Sequence, residues 1–145
     1  MRLSGLDACL QITCVFTHIT TMVAVVASPA VSDLETLFSG FADPTRLRVL
    51  NLLAAGELCV CDLVELLDLP QPLVSRHLAY LRRTGLVDVT RESKYAHYRL
   101  AEPQHTVHRN LINCVRSCFV GIKSLDRERR AAERRVALRD ARPCD

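Results

Sequence analysis

Leu63-Val64-Glu65-Leu66-Leu67-Asp68-Leu69-Pro70-Gln71-Pro72-Leu73-Val74-Ser75-Arg76-His77-Leu78 is the stretch whose reading decides the fold. Leu63, Leu66 and Leu67 give the apolar side of a helix predicted over about Cys59 to Leu67. Asp68-Leu69-Pro70-Gln71-Pro72 is a short turn, and its second proline suits the start of another helix, Leu73 to Thr84. On that helix Leu78 and Leu81 face inward, while Ser75, Arg76, His77, Arg82 and Arg83 stay outside. Gly85 stops it.

The pattern extends in both directions. Downstream, Leu86-Val87-Asp88-Val89-Thr90-Arg91 and Tyr95-Ala96-His97-Tyr98-Arg99-Leu100 are alternating runs around the polar turn Glu92-Ser93-Lys94, which predicts a β-hairpin. Upstream, Ser32 or Asp33 caps a helix carrying Leu34, Leu37, Phe38 and Phe41. Asp43-Pro44 then opens a second helix with Leu47, Leu50, Leu53 and Ala54 on one face, ended by Gly56. Pro103 opens a last long helix with Leu111, Ile112, Val115, Phe119 and Ile122 on one side; beyond Lys123 it turns Arg- and Glu-rich and is expected to fray. The class is mainly α with a small β-hairpin (α+β). Helix, tight turn, helix and hairpin in that order is the winged helix-turn-helix plan. The expected organisation is an N-terminal extension over 1–31, a winged helix-turn-helix DNA-binding domain over 32–122, and a charged helical extension and tail over 123–145.

With 145 residues, 49% of them hydrophobic and 24% charged, the chain is sized and composed as one globular domain. Aromatics are 5% and tryptophan is absent, so the core is aliphatic. The net charge of +3 is unevenly spread. Residues 33–69 hold seven acidic and two basic side chains, whereas residues 71–99 hold six basic and two acidic, and residues 123–142 eight basic and four acidic. A basic segment behind an acidic one gives the polarity a DNA binder needs. The start of the second helix of the pair enters the major groove in this plan, and Gln71, Pro72, Ser75, Arg76 and His77 stand there. Arg reads guanine and Gln reads adenine bidentately. Arg82 adds charge, and Arg91 and Lys94 near the hairpin tip suit phosphate or minor-groove contact.

Cysteines number seven, an odd count with no secreted disulfide spacing, which fits a reduced cytoplasmic protein. Cys59 and Cys61 lie directly ahead of the DNA reader. Thiolates select soft ions, and a helix N-terminus lowers thiol pKa. On a regular helix residues two apart point about 200° from each other. Both sulfurs can then hold one ion only if the first turn rearranges, which is the expected signal. A thiol oxidoreductase is disfavoured, because no strand, Cys-x-x-Cys and helix arrangement is present.

Residues 8–27 contain no Asp, Glu, Lys or Arg and loosely resemble a secretory signal, but Gln11, His18 and four threonines make a poor apolar core and a poor membrane span. The simpler expectation is that translation starts at Met22 and that no membrane is engaged.

The chain resembles the ArsR/SmtB family of metal-responsive repressors. The resemblance is carried by Phe41-Ala42-Asp43-Pro44-Thr45-Arg46-Leu47-Arg48, Glu57-Leu58-Cys59-Val60-Cys61-Asp62-Leu63, Gln71-Pro72-Leu73-Val74-Ser75-Arg76-His77-Leu78, Gly85-Leu86-Val87 and Tyr98-Arg99-Leu100. It implies a homodimer through the first and last helices that sits on double-stranded operator DNA and leaves it when metal binds. It also implies that Cys59 and Cys61 are metal ligands.

The arsenic pattern in that family adds a third cysteine three residues after the second, where this chain has Val64. As(III) and Sb(III) favour three thiolates, so a third donor is required: Cys114 or Cys118 on the last helix, Cys9 or Cys14 if translation begins at Met1 instead, or an exogenous thiol. In the cadmium/lead branch an N-terminal cysteine pair joins the same segment across the dimer, which makes Cd(II) or Pb(II) the alternative inducer. A thiol-redox-sensing repressor is the other alternative. Zinc or nickel at the last helix is weak, since Glu102-Pro103-Gln104, Val115 and Cys118 occupy the family's ligand positions and His105 and His108 read as surface histidines.

Overall fold

The computed structural model describes residues 29–92 and 95–141. The expected extension through residue 28, with Cys9, Cys14 and Met22, lies outside the described residues, as do Lys94 and Cys144. Six helices and a three-stranded antiparallel sheet are described: α1 Val31–Phe41, α2 Pro44–Leu53, β1 Leu58–Cys59, α3 Val60–Leu67, α4 Gln71–Arg83, β2 Val87–Glu92, β3 Tyr95–Leu100, α5 Thr106–Ser117 and α6 Lys123–Ala141. No helix among the described residues is long and apolar enough to cross a membrane.

Local chemistry sets the boundaries. Asp43 caps α2 by accepting from the Arg46 N–H at 2.9 Å, and Pro44 fills the first turn, where its missing N–H costs nothing. Arg46 turns back to donate to the Gly40 and Ser39 carbonyls, at 3.1 and 2.8 Å, and so closes the end of α1. Between α3 and α4 the chain reverses through Asp68 at φ 53°, a left-handed conformation that aspartate tolerates better than most side chains. Gly85, at φ 75°, releases the chain from α4 into β2.

The sheet has the order β1-β3-β2, so the strand that closes the hairpin is central. The expected hairpin pairs Val87 with Leu100 through to Glu92 with Tyr95. The third strand, β1, pairs Leu58 with Tyr98 and Cys59 with His97. Leu50, Leu52, Leu58, Leu63, Leu78, Leu81, Leu86 and Ile112 are fully buried and form one aliphatic core.

The C-terminal segment differs from its expectation. Rather than fraying, the chain turns at Gly121 (φ 93°) and residues 123–141 form α6, which packs back over α2 and α3. Ala132 is completely buried there. Arg129 donates to the Val115 and Arg116 carbonyls at 2.6 and 2.7 Å, closing the end of α5, and to Asn51 Oδ1 at 3.1 Å. Asn51 in turn donates to the Leu125 carbonyl at 2.9 Å. These partners explain how α2 buries five consecutive residues, Val49 to Leu53, including an asparagine, instead of the single face its leucines suggested. Arg48 adds an ion pair to Glu128 at 2.8 Å.

Candidate functional site

Cys59 is the last residue of β1 and the N-cap of α3, with extended backbone (φ −78°, ψ 162°); Cys61 is inside the first turn of α3. The expectation that both sit on one regular helix, about 200° apart, is therefore corrected: Cys59 precedes the helix because β3 holds it in the sheet. The sulfur of Cys59 accepts from the Asp62 N–H at 3.3 Å, and its S–H donates to Asp62 Oδ2 at 2.9 Å. The Cys59 N–H also donates to Asp62 Oδ2, at 3.3 Å, completing a reciprocal cap.

The thiol expectation is corrected as well. Burial pushes the Cys59 thiol up to about 11, and its hydrogen bond to the Asp62 carboxylate adds to the rise, outweighing the backbone N–H groups of the helix start. An incoming soft cation must therefore displace a held proton. Cys61 is exposed and Cys59 half-buried, so the pair is open to solvent on one side. Among the described residues no third His, Cys, Asp or Glu gathers with them into a metal-holding group. Cys114 lies in α5 and Cys118 is its C-cap. The hydrogen bond that the Cys114 S–H donates to Cys118 raises the Cys114 pKa, so these two sulfurs attend to each other.

Side chains that the sequence did not point to surround Cys59. Arg135 of α6 reaches Asp62 Oδ1 at 3.3 Å and also pairs with Glu65. Arg139 Nη1 lies 3.4 Å from His97 Nδ1 on β3. Cys59, Asp62, Tyr95, His97, Arg135 and Arg139 border a cavity of about 370 Å³. A thin apolar stripe at helical spacing, Leu125, Ala132 and Val136, was the available signal that α6 packs.

The helix expected to read DNA, α4, is formed but begins earlier, at Gln71. Gln71, Pro72, Ser75, Arg76 and Arg82 are exposed along α4, and Arg91 is exposed on β2. His77 is turned aside: its Nδ1 lies 3.6 Å from Asp43 Oδ1 and its side chain is only 13% exposed. Tyr80 donates to Ser39 Oγ at 3.0 Å and carries the guanidinium of Arg46 over its ring at 4.2 Å, tying α4 to α1 and α2. The surface reading of His108 is corrected, since it is 2% exposed; His105 caps α5 by accepting from the His108 N–H at 3.3 Å.

The family model described as bacterial regulatory protein, arsR family, matches residues 43–89, from the cap of α2 into β2. The arsenical resistance operon repressor of Escherichia coli is 53% identical over 66 residues, 45% of this chain and 56% of that protein, so the chain spans little more than half of it. HlyU from Vibrio cholerae is 31% identical with a TM-score of 0.54, covering 61% of this chain and 94% of that one. A homodimeric winged helix-turn-helix DNA-binding domain from Mycobacterium bovis, a possible ArsR-family regulator, is 26% identical with a TM-score of 0.54, covering 61% and 79%. The relatives named for a role are transcriptional regulators, not enzymes, and the winged helix-turn-helix of the Mycobacterium bovis domain is the architecture found here. The chain belongs to the ArsR family of bacterial regulatory proteins.

Proposed function

We propose that this protein is a homodimeric repressor that holds double-stranded operator DNA through α4 and the hairpin and releases it when As(III) or Sb(III) binds the Cys59 and Cys61 thiolates. The observation that carries the reading is the position of Cys59. It is at once the strand partner of His97 in the wing and the cap of the first helix of the helix-turn-helix. An ion taken up there would act on the wing directly and on α4 through α3, which packs against it. The donor chemistry fits: two sulfurs on one short segment, one exposed and one half-buried, suit a soft thiophilic ion.

The signal follows from the bonds that ligation breaks. Binding removes the S–H proton and with it the hydrogen bond to Asp62 Oδ2, and it draws the sulfur from the Asp62 N–H towards the ion. The start of α3 loses its cap, and α3 packs directly on α4. The name of the Escherichia coli relative, an arsenical resistance operon repressor, supports arsenic as the inducer. Dimerisation is supported by the homodimeric Mycobacterium bovis domain and by apolar side chains left exposed at the first helix and after α5, Val31 and Phe38, Val120 and Ile122.

The test is fluorescence anisotropy on operator DNA with As(III), Sb(III), Cd(II) and Pb(II) under anaerobic reducing conditions. Wild type should dissociate with As(III) and Sb(III), while Cys59→Ser and Cys61→Ser stay bound. Release by Cd(II) or Pb(II) alone would replace the inducer. Normal release of a Cys61→Ser repressor by every ion would overturn the site, and release only on oxidation would make it a redox sensor.

A further inference from the structure

We infer that the outer face of α6 is a second DNA-binding surface, on the far side of α2 from α4, and that it holds the phosphate backbone of another duplex segment without reading its sequence. The inference goes beyond the function proposed above and rests on it only in taking α4 as the operator contact.

The surface is a row of cations. Lys123, Arg127, Arg130 and Arg134 are exposed and recur at intervals of four, three and four residues, which places them on one face of α6. Ala132 and Val136, each two residues beyond an arginine of the row, are turned about 200° away and pack into the core. None of the four cations has an ion pair or hydrogen bond among the described residues. The helix's own carboxylates are directed elsewhere: Glu128 pairs with Arg48, and Asp126 accepts from the Gly121 N–H at 2.9 Å. Glu133, one residue before Arg134, stands about 100° off the row. With Asp126 the four cations border a surface groove of about 300 Å³.

Like charges three and four residues apart destabilise a helix, and a polyanion relieves them. From Lys123 to Arg134 the helix rises about 16 Å. Over that length one DNA strand presents about five phosphates. Arginine, three of the four, forks onto phosphate oxygens. The row itself carries no apolar side chain to enter a bilayer, which favours a nucleic acid over a membrane.

The position of α6 separates this contact from the operator. Arg46 and Arg48 are two residues apart on α2 and so point about 200° from each other. Arg46 lies over the Tyr80 ring of α4 at 4.2 Å, whereas Arg48 pairs with Glu128 of α6 at 2.8 Å. Asn51 also faces α6, donating to the Leu125 carbonyl. The two helices thus flank α2 from opposite sides, and the outer face of α6 is turned away from the groove that α4 would enter. A repressor fixed on its operator keeps neighbouring DNA at high effective concentration, so a weak phosphate contact suffices to hold a second segment.

The experiment is a bridging assay. Operator duplex on beads, in excess so that every α4 is occupied, is loaded with the full chain and offered a fluorescent duplex of unrelated sequence. Wild type should capture the second duplex, and capture should weaken about a hundredfold between 50 and 200 mM salt, the response of four phosphate contacts. Combined Lys123→Gln, Arg127→Gln, Arg130→Gln and Arg134→Gln should lower capture about tenfold or more, while Arg127→Lys, Arg130→Lys and Arg134→Lys together should retain it. Both proteins should hold the operator as tightly as wild type by anisotropy. No capture by wild type, capture that survives neutralisation, or capture of phosphatidylglycerol vesicles in place of the duplex would overturn the inference and leave the proposed function standing. Weakened operator binding in the neutralised protein alone would overturn it too, by placing the row in the operator contact. Failure of wild type to bind operator would overturn the proposed function, and the inference with it.

Discussion

Asp62 and Cys59 hold each other across the first turn of α3, the S–H donating to Oδ2 at 2.9 Å and the Asp62 N–H donating back to the sulfur at 3.3 Å. The sulfur proposed to take up the ion and the helix cap are thus the same atom. Serine offers the same pair of hydrogen bonds with a better capping group, whereas alanine offers neither. Cys59→Ser should match or exceed wild-type stability, and Cys59→Ala should lose about 1 kcal/mol, as helix caps do on truncation. Urea denaturation of the metal-free proteins checks this; equal midpoints for the two variants would mean that the sulfur is no cap.

A second pair of variants separates the proposed reading helix from the proposed sensor. Arg76 is exposed on α4, so Arg76→Ala should cost about 1–3 kcal/mol of operator affinity and leave arsenic uptake unchanged. Cys61→Ser should do the opposite. Anisotropy for DNA and mass spectrometry for arsenic read the two independently. Loss of both in Arg76→Ala would mean that the substitution had disturbed the α3–α4 pair itself.

The winged helix-turn-helix was legible because its signals are local: Asp43-Pro44 as a cap, prolines at the start of α4, and two alternating runs around a polar turn. The cysteine pair was legible for the same reason. Three features depend on contacts distant in sequence and escaped. β1 is two residues long and exists only because β3 pairs with it. That pairing moves Cys59 out of the helix, and burial against Asp62 reverses the direction expected for its thiol. The charge of α6 masks its thin apolar stripe, so its arginines read as a solvated tail although Arg129 and Arg135 bind the core elements.

Asn51 tests how firmly α6 is attached. It is 1% exposed and satisfied by Leu125 and Arg129 of α6. Asn51→Leu keeps the branched shape but leaves the Leu125 carbonyl and the Arg129 Nε–H without their partner. The cost should be about 1–3 kcal/mol. Trypsin should also cut within 123–141 faster than in wild type, because α6 is rich in arginine and would detach more often. An unchanged cleavage rate would mean that Ala132 and the Arg48–Glu128 pair hold α6 without Asn51.

His108 gives the fold a pH dependence whose sign is fixed by its surroundings. It is buried in α5, where Nδ1 accepts from the Gln104 N–H at 3.3 Å and Nε2 has no partner among the described residues. Burial lowers its pKa from the ordinary 6.5, and the nearby His105 lowers it further. Asp88 of β2 opposes them, and Asp33 of α1 and Arg83 of α4 line a surface pocket together with His108. Above about pH 6.5 neither the folded nor the unfolded chain protonates this ring, and its burial is not penalised. Below that pH the unfolded chain takes up the proton first, so stability falls as pH falls, until the lowered folded-state pKa is passed. Denaturation midpoints should therefore drop between pH 7.5 and 5.5, and His108→Leu, which cannot protonate, should flatten that drop. The difference in slope between the two proteins isolates His108 from the other titrating groups. Parallel slopes would mean that the ring takes its proton as readily folded as unfolded.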